Sequence, residues 1–62
     1  MKRTQLQKHL RKSGCALLTE GEKHPKWINL VDHSKQTTVP RHTEIDDYLA
    51  KLICRQLAIP PV

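Results

Sequence analysis

Leu6 and Leu10 stand four apart in an otherwise polar segment, which is the spacing of one helical face, and predict a short helix over 4–13. Thr4 is placed to cap it, and Gly14 fits a left-handed stop. Cys15-Ala16-Leu17-Leu18-Thr19 is a short apolar run that fits a strand. Glu20-Gly21-Glu22-Lys23 is a turn, with Gly21 free to take a positive φ. A second strand over 26–31 is expected from Trp27, Ile28 and Val31, and Asp32-His33-Ser34-Lys35 reads as a polar turn. Gln36-Thr37-Thr38-Val39 gives a third strand, closed by Pro40, which has no amide hydrogen for a ladder.

Ile45, Leu49, Leu52, Ile53 and Leu57 recur at helical spacing and predict a closing helix with the main core stripe. Thr43 and Asp46 resemble a capping box, and Glu44, Asp46 and Asp47 suit a positive helix start. Lys51 and Arg55 lie toward the opposite end, and Pro60 and Pro61 stop the helix. The expected architecture is α+β in the order α-β-β-β-α. A three-stranded antiparallel meander would carry both helices on one face, leaving the other face or the rim for function.

The chain has 62 residues, so a single domain over 1–62 is expected. A chain this short buries only about 60% of its unfolded surface, and binding a partner would add stability. Cys15 and Cys54 are too few for a secreted disulfide scaffold. With no apolar leader and no run long enough to span a bilayer, the expectation is a cytoplasmic protein with reduced thiols. The net charge of +5 changes the picture most, because such a surface attracts polyanions. Nucleic acid is favoured over membrane, since the basic segments lack the bulky apolar face of an interfacial helix. Trp27 and Tyr48 are the only aromatics, which argues against a platform on which bases stack.

Histidines stand at 9, 24, 33 and 42, without the close spacing that lets one local element supply two metal ligands, so no metal and no cofactor are expected. Cys54 lies in an apolar helical stripe and Cys15 opens an apolar strand, so both read as buried structural thiols rather than nucleophiles. RNA cleavage asks less of the protein, because the 2′-hydroxyl of the substrate can attack its own phosphate. One imidazole near neutrality and cations around the phosphate then suffice. "GEKHPKW" supplies His24 for proton transfer, Lys23 and Lys26 as flanking RNA-binding cations, and Gly21 for close backbone approach. "VPRH" supplies Pro40 to fix the chain and Arg41 as a phosphate-sized fork. His42 would either assist in proton transfer or hydrogen-bond the loop.

Gly21-x-x-His24 opening the second strand, Val39-Pro40-Arg41-His42 closing the third, and the final "EIDDYLAKLICRQLAIP" together resemble the HicA toxins of bacterial HicA–HicB toxin–antitoxin pairs. With Leu6, Leu10 and Gly14 the resemblance covers nearly the whole chain. It implies a double-stranded-RNA-binding-domain-like fold and a metal-independent mRNA-cleaving activity, with His24 as the catalytic residue. It also implies neutralisation by a HicB-type antitoxin. Many members have Gly-Ser before the histidine, whereas this chain has Glu22, a carboxylate that would either raise the imidazole pKa or repel phosphate. Two other readings remain: a non-catalytic RNA-binding module of the same shape, and a protein-interaction domain whose basic face meets an acidic partner.

Overall fold

The first helix, α1, spans Arg3–Lys12 and begins two residues earlier than Thr4 capping would give, with Lys2 in the cap position. The reason is non-local. Lys2 is extended and forms an isolated antiparallel bridge with Glu44, and the Arg3 amide donates to the Thr43 carbonyl at 2.9 Å. A tertiary contact thus satisfies one of the helix-start amides that a side-chain cap would otherwise serve. The Lys2 amide donates to Gln5 Oε1 at 3.3 Å. Leu6 and Leu10 are fully buried, as their spacing predicts, and Gly14 takes φ +90° after the helix end. The computed structural model describes residues 1–19 and 25–62.

Three strands come next: β1 Cys15–Thr19, β2 Lys26–Asn29 and β3 Gln36–Thr38. They form an antiparallel sheet in the order β1-β2-β3, the expected meander. Strand β2 ends at Asn29 rather than Val31. Asn29 Oδ1 accepts the Val31 amide at 2.8 Å and the Asp32 amide at 3.3 Å, which pulls the chain out of the ladder into a turn. The polar turn then closes on Asp32, whose carboxylate accepts from the Ser34 amide and hydroxyl.

Helix α2 spans Asp47–Gln56. Its cap differs from the expected Thr43–Asp46 box: Asp46 itself is the cap and accepts the Tyr48 amide at 3.2 Å. Residues 43–45 cannot be helical, because Glu44 pairs with Lys2 and the Ile45 amide donates to the Met1 carbonyl at 2.7 Å. The buried face is correspondingly Ala50, Ile53, Cys54 and Leu57, with Leu49 and Leu52 only half-buried.

Both helices lie on one face of the sheet. Leu17, Trp27 and Thr37 stand opposite one another across the three strands and therefore share a face. Arg11 of α1 covers the Trp27 ring, and the Thr37 hydroxyl donates to the Gln56 side chain of α2. Asn29 Nδ2 also reaches the Leu57 carbonyl at 2.7 Å. Leu6, Leu10, Cys15, Trp27, Val39, Ile45, Ala50, Ile53, Cys54 and Leu57 form one core. Among the described residues, no helix is long and apolar enough to cross a membrane.

Candidate nucleic-acid interface

The candidate site lies at the end of the sheet where β1 finishes, β2 starts and β3 exits. Its outermost cross-strand row is Thr19, Lys26 and Thr38. Just beyond it the Val39 amide donates to the Pro25 carbonyl at 3.0 Å, so the pairing continues past the strand ends. This bond joins the two motifs of the sequence: Pro25 directly follows His24, and Val39 opens Val-Pro-Arg-His. Pro25 is buried, Lys26 and Pro40 are half-buried, and Arg41 and His42 are exposed. Pro40, Arg41 and His42 then lead to Thr43, whose carbonyl holds the Arg3 amide. Gly21, Glu22, Lys23 and His24 lie outside the described residues.

A feature missing from the sequence expectations is a bulge. Leu17 pairs with Trp27, but the next pair is Thr19 with Lys26, so Leu18 is an extra residue in β1. Bulges bend an edge strand and re-aim the residues beyond them, and they recur beside active sites. The sequence carries no signal for it, because Cys15-Ala16-Leu17-Leu18 is apolar throughout and has no alternation that an extra residue would interrupt. A second such feature is Arg11, whose guanidinium carbon sits 5.2 Å from the Trp27 ring centroid. Fully buried, Trp27 offers no stacking surface to a base, while Tyr48 on α2 is 74% exposed.

The other chemical candidates are occupied structurally. Cys15 and Cys54 are buried in the core, and burial pushes both thiols above their ordinary pKa, the Cys54 charge adding to the effect at Cys15. A thiol held neutral is a poor nucleophile. His9 Nε2 donates to the Pro60 carbonyl at 2.8 Å, an assignment that holds because a carbonyl only accepts. Among the described residues no three of His, Cys, Asp and Glu gather as metal ligands.

Lys26 starts β2 and Arg41 lies three residues past the end of β3, so both belong to the same end of the sheet. Comparison with protein-family models, curated proteins and solved structures returns no match for this chain.

Proposed function

We propose that this chain is an endoribonuclease toxin that cleaves mRNA without a metal and thereby arrests translation and growth. His24 transfers the proton, Lys23, Lys26 and Arg41 hold the phosphate, and His42 assists or orders the loop. A base withdraws the 2′-hydroxyl proton, the freed oxygen attacks the adjacent phosphorus, and the 5′-oxygen leaves with a proton. Cations around the phosphate stabilise the charge that develops on it. A HicB-type antitoxin neutralises the toxin in the bacterial cytoplasm.

The observation that carries this reading is the Val39–Pro25 hydrogen bond. It brings the residue after His24 together with the strand exit that leads to Arg41 and His42, two motifs separated in sequence. A covering partner is supported by Leu17 and Leu18, 37% and 47% exposed on edge strand β1.

The test uses purified protein, a long mRNA and a chelator. The parent chain should fragment the RNA, and His24→Ala should slow cleavage by about a hundredfold to ten-thousandfold with unchanged circular dichroism. Undiminished cleavage by the alanine variant rules out the role of His24. If both proteins bind RNA and neither cuts it, the chain is a non-catalytic RNA-binding module instead.

A further inference from the structure

The N-terminal helix carries a cationic face that the proposed chemistry leaves unused. Lys8, Arg11 and Lys12 stand at i, i+3 and i+4, so they share one side of α1, and all three are exposed. None of them forms an ion pair among the described residues. No acid occurs in residues 1–19. The acids Glu44 and Asp47 gather instead at the other end of α1, 3.5 and 3.6 Å from the Met1 ammonium. The separation from Lys2 to Arg11 along the helix axis is about 13 Å at the usual rise.

Compensation of the helix dipole would be met by any one cation in the last turn. Arg11 goes further. Its guanidinium carbon lies 5.2 Å from the Trp27 ring centroid, a cation–π contact that restrains the side chain against the domain while the residue stays exposed. A fork held in this way loses little freedom on binding an anion, and its geometry matches a phosphate. Trp27 directly follows Lys26 in β2, so the same strand anchors this fork and carries a cation of the candidate site. The molecule measures 27 × 27 × 16 Å, so a short strand of RNA reaches both.

We infer that Lys8, Arg11 and Lys12 form a docking track for the backbone phosphates of the single-stranded RNA to be cut. The inference rests on the proposed RNA-cleaving function and adds to it the surface that holds the strand.

The experiment measures binding of a fluorescein-labelled mixed-sequence single-stranded RNA to the full chain carrying His24→Ala, across a salt series. Lys8→Gln/Arg11→Gln/Lys12→Gln in that background should lower the log–log salt slope by about 2, from roughly 0.7 per lost phosphate contact. A control triple, Lys35→Gln/Lys51→Gln/Arg55→Gln, removes the same three charges, taking the formal net charge from +5 to 5 − 3 = +2, and should leave most of the slope. Arg11→Lys alone should weaken binding, because charge remains while the restrained fork is lost. Equal losses in the two triples would overturn the track in favour of diffuse charge. Loss of poly-glutamate binding with RNA binding retained would overturn it in favour of an acidic protein partner. If the His24→Ala parent binds no RNA at all, the function proposed above falls together with the track. RNA binding by the parent with an unchanged slope in the α1 triple removes the track alone.

Discussion

Val39 donates its amide hydrogen to the carbonyl oxygen of Pro25, 3.0 Å away, and so locks the exit of β3 against the entrance of β2. In the sequence His24 immediately precedes Pro25 and Arg41 follows Val39 by two residues, so the two motifs flank this one hydrogen bond. Residues that serve one transition state lose their effects together rather than independently. Arg41→Ala should slow RNA cleavage on the order of a hundredfold, the usual cost of removing one donor to a developing anion. Added to His24→Ala, the same change should cost little more. Single-turnover rates for the two single variants and the double variant check this, and multiplicative losses would show that the residues act separately.

Much of this arrangement is legible in the residue pattern. Leu6 and Leu10 announce α1, the alternation of polar turns with apolar runs announces the meander, and a meander brings the start of β2 and the end of β3 to one side. Lys26, Pro40, Arg41 and His42 are therefore readable as neighbours from topology alone. The helix starts are not, because both depend on the Lys2–Glu44 bridge between segments far apart in the chain. The end of β2 comes earlier than strand propensity gives, because a side chain, Asn29, captures the Val31 amide that propensity assigns to the strand, together with the Asp32 amide of the turn. Arg11 is one basic residue among several in the sequence, since its contact with Trp27 exists only once α1 has packed on the sheet.

The two helix ends make opposite predictions. After α1, Gly14 holds φ +90°, and an added Cβ there would meet nothing within 4 Å. After α2, Ala58 holds φ +57°, with its amide on the Arg55 carbonyl and the Ile59 amide on the Cys54 carbonyl. That pair of bonds is a Schellman stop, whose left-handed position ordinarily belongs to glycine. Gly14→Ala should destabilise by about 1 kcal/mol through backbone strain alone, and Ala58→Gly should stabilise by a similar amount. Each change corresponds to a shift in melting temperature of about 4–8 °C, in opposite directions. Thermal unfolding monitored by circular dichroism reads both, and shifts of the same sign would contradict the argument.

The buried thiols set an alkaline limit. Burial raises Cys15 and Cys54 above their ordinary pKa of 9.0, so the folded state favours the neutral form. Their contribution is fully present below 9.0, where folded and unfolded chains both keep the proton. As pH rises past 9.0 the unfolded chain ionises first, and stability falls until the folded pKa values are passed. Cys15→Ala/Cys54→Ala should therefore flatten the alkaline decline, whatever it does to stability at neutral pH. Urea unfolding at a series of pH values compares the slopes, and parallel slopes would assign the decline to other groups.

Asn29 joins three parts of the fold through one buried amide. Its Nδ2 donates to the Leu57 carbonyl at 2.7 Å, while its Oδ1 holds the Val31 and Asp32 amides, and the residue is 7% exposed. Asn29→Asp keeps the shape and the acceptor but replaces the donor with a carboxylate oxygen facing a carbonyl. At neutral pH this should cost about 1–3 kcal/mol, because a buried hydrogen bond is lost and two acceptors confront each other. The same contact favours the protonated acid, so the folded pKa of the introduced carboxyl is raised above its unfolded value. The protonated oxygen can donate to Leu57, and part of the loss should return as pH falls through that raised pKa. Stability of the variant relative to the parent, measured from neutral to acidic pH, tests the assignment. A deficit that stays constant with pH would show that the Leu57 carbonyl does not depend on the amide of Asn29.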